Sequence, residues 1–233
     1  MKADKKIKTS RSNWKFDKSV ALNFDNHVKK SVPYYEHAHE IILGLSDFFL
    51  KNDSNCNDLG CSNGSLLKKI SVRHQNKNFT LNGYDNSKEM IKVAKKNYKD
   101  KRLKFNLKDI TKLKLKKNDL TLSLFTMQFI PPKKRQLLFN RIYNSLNWGG
   151  AFVLCEKIRG SDARFQDILN FLYFDFKSKN FSQREILNKE LSLRGVMEPF
   201  TMKANIDFLK RAGFKDIMPI YQYLCFAGFL AIK

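Results

Sequence analysis

The sequence contains no run of eighteen apolar residues, so no membrane-spanning helix is expected. Its four cysteines, Cys56, Cys61, Cys155 and Cys225, form no C-x-x-C pair. That argues against a zinc ribbon or a disulfide framework and suggests the reduced thiols of a cytoplasmic protein. The start, Met1-Lys2-Ala3-Asp4-Lys5-Lys6, leads into polar sequence without an apolar h-region, which argues against a secretory signal. There is no internal repeat and no low-complexity linker. No third ligand accompanies His37 and His39, so no metal site is expected. Acidic residues are few, 22 against 44 Lys and Arg, for a net charge of +22. Such a charge attracts RNA or phosphate-rich ligands in general. Here the lysines are spread over the whole chain, without an RGG tract or RNA-binding motif, and the densest run, Lys108 to Lys117, alternates with Leu and Ile. Charge alone does not establish RNA binding, which stays open without a supporting motif, and a lysine-rich composition is the favoured reading.

What is present is a chain of 233 residues, 42% hydrophobic, sufficient for one core with a helical lid. The polar, basic residues from Met1 to about Trp14 are expected to be poorly ordered. A short helix fits Phe16 to Lys30 and ends at Ser31-Val32-Pro33, because Pro33 disfavours helical dihedrals at Val32. Ala38, Ile41, Ile42, Leu45, Phe48 and Phe49 mark one face of a helix from about Tyr35 to Leu50. Strands are then expected up to Asp58 and over Phe79–Tyr84, Leu103–Leu107, Leu120–Phe125 and Ala151–Cys155, with helices between them. The strand ending at Asp58 is unusually polar for the centre of a sheet. Asn86 or Ser87 caps one helix, and Gly149-Gly150 is expected to close the helix begun at Pro131-Pro132. A long amphipathic helix carries Phe165, Ile168, Leu169, Leu172 and Phe176, capped by Ser161 or Asp162. A last helix ends at Gly213, and strands near Ile217–Tyr221 and Cys225–Ile232 follow. Alternating strands and helices imply an α/β fold: a Rossmann-like, mostly parallel sheet with an antiparallel C-terminal strand and helices on both faces. The expected division is a tail and helical cap at 1–50, a cofactor-binding core at 51–157, a helical insertion at 158–212 serving as lid or dimer contact, and closing strands at 213–233.

In such a sheet, ligands sit at the carboxyl ends of the strands. Asp58-Leu59-Gly60-Cys61-Ser62-Asn63-Gly64 reads as strand end, tight turn and helix start, where glycines admit a ligand close to backbone N–H donors. Asp85, ending the second strand, lies where a carboxylate can bind a ribose diol, and Asp109 follows the third. One such Asp is more often a cap or a surface charge, but the three features together point to a nucleoside cofactor. Ser62 replaces the middle glycine of G-x-G-x-x-G, which disfavours the close pyrophosphate approach of NAD and favours S-adenosylmethionine. His37 and His39 are the nearest candidate bases. Ordinary polar positions on a helix are the commoner explanation for both.

Phe16-Asp17, Ser31-Val32-Pro33 with Tyr35, Asp58-Leu59-Gly60-Cys61-Ser62 with Gly64, and Asp85-Asn86-Ser87 with Met90-Ile91 resemble the carboxy-S-adenosylmethionine synthase branch of the class I methyltransferases. Gly149-Gly150, Glu156-Lys157, Asp175-Phe176-Lys177, Val196-Met197 and Ala212-Gly213-Phe214 share the likeness, which runs from about Phe16 to the C-terminus. The resemblance implies a homodimer. It also implies nucleoside contacts from Tyr35, Gly60, Cys61, Ser62, Asp85, Asn86, Asp109 and Ile110, with Tyr35 near the sulfonium or carboxypropyl end. Two positions depart from the family: its arginine for the extra carboxylate falls at Glu190, and a fourth-strand asparagine falls at Leu124. A carboxylated ligand beside Glu190 meets like charge, costing a few kcal/mol at roughly 4–6 Å. Arg194, four residues on, is a possible substitute if a helical turn carries it to the same face. The expected activity is methyl transfer from S-adenosylmethionine to a small-molecule or sugar acceptor, an in-line displacement that needs mainly positioning. The alternative is a carboxy-S-adenosylmethionine synthase using prephenate and serving tRNA wobble-uridine modification.

Overall fold

Polar residues do occupy the centre of the sheet. In a computed structural model describing residues 10–233, strand β1 (Asn55–Leu59) lies between two parallel neighbours. Its Asn57 and Asp58 are each only 3% exposed. Those neighbours are β2 (Thr80–Asp85) and β4 (Asn118–Leu124); β3 (Leu103–Leu107) and β5 (Leu146–Arg159) extend the parallel part outward. The last strand, β8 (Phe226–Ile232), runs antiparallel against β5, and β7 (Asp216–Tyr223) pairs antiparallel with β8. The order β3-β2-β1-β4-β5-β8-β7 reverses beside β1, which puts the topological switch point at the β1–β4 pair. A two-residue strand, β6 (Phe200–Thr201), pairs in parallel with the end of β5.

Period-two alternation along β5 assigns its side chains to two cores. Val153 and Cys155 pack with Ile42 of α2 (Tyr35–Phe49), Leu67 and Ile70 of α3 (Ser65–Arg73) and Ile91 of α4 (Lys88–Asn97). Phe152 and Leu154 face the other way, onto Phe139 and Ile142 of α5 (Pro132–Ser145) and Leu209 of α8 (Met202–Ala212). Each large side chain so buried contributes about 1.5–3 kcal/mol. Helices therefore cover both faces. The remaining helices, α1 (Lys18–Ser31), α6 (Ala163–Ser178) and α7 (Gln183–Leu193), gather over the carboxyl ends of the strands.

Local signals settle the open caps. Ser87 Oγ accepts from Met90 N at 3.3 Å and caps α4, while Asp162 Oδ1 accepts from Phe165 N at 3.0 Å and caps α6. Gly213, at φ 118°, closes α8 as a C-cap. Gly149-Gly150 does not close α5, which already turns extended at Leu146. The two glycines instead lie inside β5, where Gly149 N donates to the Lys233 carbonyl at 2.8 Å and Lys233 N donates to Gly150 O at 2.9 Å.

The expectation of a poorly ordered start falls partly outside the described residues. Within them, Ser12 N donates to Leu191 O (2.9 Å) and Trp14 N to Ser192 O (3.1 Å), so this segment is tied to α7. Helix α6 differs most from its amphipathic pattern. Of its residues only Lys177 is buried, while Phe165, Ile168, Phe171 and Leu172 are exposed.

The flank beneath the site is fastened by Arg102. Its guanidinium donates to Asp100 (2.7 and 3.2 Å), to the carbonyls of Ser71 (2.8 Å) and His74 (2.7 Å), and to Lys77 O (3.1 Å). It thereby joins the end of α3 to β3. Because Arg102→Leu leaves carbonyls without a donor and Asp100 without its cation, it is expected to cost about 2–4 kcal/mol in urea unfolding. A loss below 0.5 kcal/mol contradicts the fastening.

Candidate active site

The strand ends converge on one cavity of about 1370 Å³. That exceeds the roughly 300–1,000 Å³ of a single small-molecule site, leaving room for two ligands side by side. Gly60 and Cys61 donate their backbone N–H groups to Tyr84 O at 2.8 and 3.0 Å, pinning the β1 turn to β2. Gly60 has φ 87°, and any Cβ there would collide with the Thr126 side chain. Ser62 follows in the left-handed region at φ 52°. Its N–H donates to Asp85 Oδ2 at 2.9 Å, and Ser87 N donates to Asp85 Oδ1 at 2.8 Å. Asp85 is thus clamped between two turns and keeps lone pairs for further donors, as a ribose-binding carboxylate requires.

Asp58 is buried, and burial followed by repulsion from Asp85 pushes its pKa up to about 7. No ion pair neutralises it among the described residues. A buried carboxylate that opens onto a cavity and has no cation suits a ligand with an ammonium or sulfonium group. This is the observation on which S-adenosylmethionine fits. Asn86 and Asp109 are exposed on the rim, Ile110 is buried beside them, and Cys61 lines the floor. Oδ1 of Asp109 accepts from N and Oγ1 of Thr111 at 2.9 and 2.8 Å. Tyr35 sits against His39 (4.5 Å between centroids) and Phe125 (6.0 Å), and its phenol is held far above its ordinary pKa by burial and by Asp25 and Asp58.

Two expected site residues lie elsewhere. Gly64 does not line the cavity; its close approach is to Phe105 and Ala94, a packing role. His37 is exposed, meets exposed Tyr34 edge to face at 4.8 Å between centroids and does not line this cavity. His39 does line it, 2% exposed, with neither ring nitrogen hydrogen-bonded among the described residues. Burial, aided by Lys69 and Lys29, lowers its pKa to about 3, which makes it a weak proton acceptor at neutral pH.

Leu124, Glu190 and Arg194 also line the cavity. Helix α7 stops at Leu193, so Arg194 reaches the cavity as an extended C-cap residue and not by a helical turn. Near Glu190 stand Lys157 and Lys177, each over the Tyr173 ring, at 4.6 and 4.4 Å from its centroid. Lys189 donates to Ser31 Oγ at 2.9 Å and lies 5.2 Å over Trp14. The residues 12–16 segment, anchored by Ser87 Oγ donating to Phe16 O at 2.7 Å, walls one side. Reading the sequence alone assigned no role to Lys157, Lys177, Tyr173, Trp14 or Gln128. Glu156-Lys157 and Asp175-Phe176-Lys177 were visible as family-like motifs; nothing signalled Trp14 or Gln128.

A methyltransferase-domain family model matches residues 57–150. The carboxy-S-adenosyl-L-methionine synthase of Staphylococcus epidermidis is 36% identical over 223 residues, covering 94% of this chain and 97% of that protein. The chain belongs to the carboxy-S-adenosyl-L-methionine synthase family. The synthase of the same name from Campylobacter jejuni is 36% identical over 226 residues, covering 96% and 95%. Two solved structures share the fold. One is a putative S-adenosyl-L-methionine-dependent methyltransferase of Methanococcus maripaludis (TM-score 0.62, 20% identity, 97% of each chain). The other is phosphoethanolamine N-methyltransferase 2 of Haemonchus contortus (TM-score 0.67, 15% identity, 94% of this chain and 57% of that one). This synthase-family chain is an enzyme of the transferase class, and its cofactor is S-adenosyl-L-methionine or the carboxylated form. No helix among the described residues is long and apolar enough to cross a membrane, and no cluster of three potential metal ligands occurs among them.

The buried imidazole makes a pH prediction. Between its unfolded pKa near 6.5 and its folded value of about 3, the unfolded state binds more protons at His39, so stability falls as pH falls. From pH 7.5 to pH 5 this one group removes about 2 kcal/mol. Asp58, with its raised pKa, works in the opposite direction, so the test is a difference. His39→Leu is expected to gain about 2 kcal/mol relative to the native chain over that interval in urea unfolding. A pH-independent difference contradicts the assignment.

Proposed function

We propose that this chain forms carboxy-S-adenosyl-L-methionine from S-adenosyl-L-methionine and prephenate, and that the product serves tRNA wobble-uridine modification, as the resemblance implies. The observation that carries the reading is the charge polarity of the cavity. Asp58, Asp85, Glu89 and Asp109 line the nucleoside side together with Lys88 and Lys108, while Lys157, Arg159, Lys177, Lys189 and Arg194 line the other with only Asp162 and Glu190 among them, so each side keeps an excess of one sign. A neutral sugar or metabolite acceptor has no use for such a basic end; a donor bearing carboxylates does.

When bound, S-adenosyl-L-methionine supplies a methyl carbon activated by the adjacent sulfonium. The residues hold and orient. Asp85 and Asp109 face the nucleoside, Asp58 faces positive charge, and Tyr35 and Phe125 wall the cavity between its two ends. His39, buried in the cavity wall with its pKa pushed down, is a weak acceptor for a methyl proton at neutral pH. Methyl transfer to a small acceptor is the second reading, favoured by Glu190 and Leu124 standing where the family has arginine and asparagine. We place the protein in the cytoplasm and assign it no RNA contact.

The exposed apolar stripe of α6 is proposed to face a second copy. Phe165, Ile168, Phe171 and Leu172 form a contiguous patch of the kind that marks an interface, with Phe171 73% exposed. Phe171→Glu is expected to shift a dimer to a monomer in light scattering, and a monomeric native chain contradicts the pairing.

Incubating purified protein with S-adenosyl-L-methionine and prephenate is expected to yield, by mass spectrometry, the nucleoside carrying one added carboxyl group. Consumption of S-adenosyl-L-methionine to S-adenosylhomocysteine alone, in the presence of an acceptor, contradicts the synthase reading in favour of methyl transfer.

A further inference from the structure

Tyr173 is a fixed post at the basic end of the cavity. Its hydroxyl donates to Ser31 O at 2.7 Å, and its ring meets the Phe226 edge at 5.3 Å. Both Lys157 and Lys177 bring their ammonium groups over that ring. Lys157 starts from β5, where its backbone N donates to Gln128 Oε1 at 2.7 Å, so its Cα is held in place. Its Nζ lines the cavity and has no hydrogen-bond acceptor or carboxylate partner among the described residues; the ring is its contact. Lys177, with a side chain 7% exposed, donates to Glu190 Oε1 at 2.5 Å.

Lys177 is thus paired with Glu190, while the ammonium of Lys157 over the same ring has no carboxylate within ion-pair distance among the described residues. The Glu190 side chain is 58% exposed and stands on the last turn of α7, so it can swing into water with little loss of packing. The lysines cannot follow: one leaves a strand inside the sheet, and the other is the buried residue of its helix. An ammonium kept from water beside a second ammonium, with a single mobile counter-ion, is a seat for one more carboxylate.

We propose that Lys157 and Lys177 form the seat for the carboxylate of the carboxymethyl-sulfonium ligand, and that Glu190 is an internal occupant which withdraws when that carboxylate enters. The inference rests on the synthase reading given above. It makes Lys157 a binding residue, and it makes Glu190 a brake on affinity for the carboxylated cofactor. The positive charge at this end comes from β5 and α6, in motifs this chain shares with its family, and Glu190 sets how tightly the product is retained.

Calorimetry with carboxy-S-adenosyl-L-methionine and with S-adenosylhomocysteine, on the full chain, tests this. Lys157→Gln is expected to weaken the carboxylated ligand about tenfold or more and leave S-adenosylhomocysteine within about twofold, since a charge-assisted hydrogen bond is lost for one ligand only. Lys157→Arg is expected to restore most of the preference. Glu190→Gln, at an exposed position where folding is not at stake, is expected to tighten the carboxylated ligand severalfold and leave the other unchanged. Equal effects on both ligands, or weaker carboxylated binding in Glu190→Gln, overturn the inference. A raised KM for prephenate with an unchanged Kd for the carboxylated cofactor also overturns it, placing the lysines on the donor. If the native chain makes the carboxylated cofactor while Lys157→Gln keeps its preference, only the seat is wrong. If the native chain neither makes nor binds that cofactor, the synthase reading fails with it.

Discussion

Asp85 holds this site together. Its two oxygens accept from Ser62 N and Ser87 N, fastening the turn after β1 to the turn after β2. The clamp keeps Ser62 in its left-handed conformation, which is costly for a residue with a side chain, while the Gly60 turn beside it is pinned by Gly60 N and Cys61 N donating to Tyr84 O. The switch point between β1 and β4 opens the crevice, the clamp defines its nucleoside end, and Asp58 beneath it is left facing a ligand cation.

The opposite end obeys a different constraint. There β5, α6 and α7 bring Lys157, Lys177 and Glu190 around Tyr173, and charge balance is incomplete. A cavity with acids at one end and amines at the other suits a cationic nucleoside meeting an anionic donor. The same polarity explains how a family member can carry glutamate where its relatives carry arginine. The positive charge offered to a carboxylate here belongs to the pocket wall, on lysines that stand in motifs shared with the family.

Much of the fold was legible because it rests on periodicity. The helix over Tyr35–Phe49, the strand at Thr80–Asp85 and the alternation of β5 follow from apolar spacing, and even the polar β1 was found between its turn signals. The nucleoside half was legible for the same reason: Asp58, Asp85 and Asp109 stand at strand ends, which sequence can locate. What escaped depends on three-dimensional neighbours. Strand β6 is two residues long and exists through pairing with β5. Gly149-Gly150 looked like a helix stop because glycine suits both a C-cap and a strand entry. His37 and His39 were indistinguishable in sequence, yet α2 turns one outward and buries the other. Lys157 and Lys177 lie twenty residues apart, and nothing in their spacing shows that they meet over one ring.

The central claim is that the cavity is built for a carboxylated sulfonium nucleoside. The most direct measurement is mass spectrometry of the small molecule released when the protein, purified without added cofactor, is denatured. A nucleoside carrying the extra carboxyl group is the expected release product. Release of S-adenosyl-L-methionine or S-adenosylhomocysteine, with no carboxylated species, contradicts it.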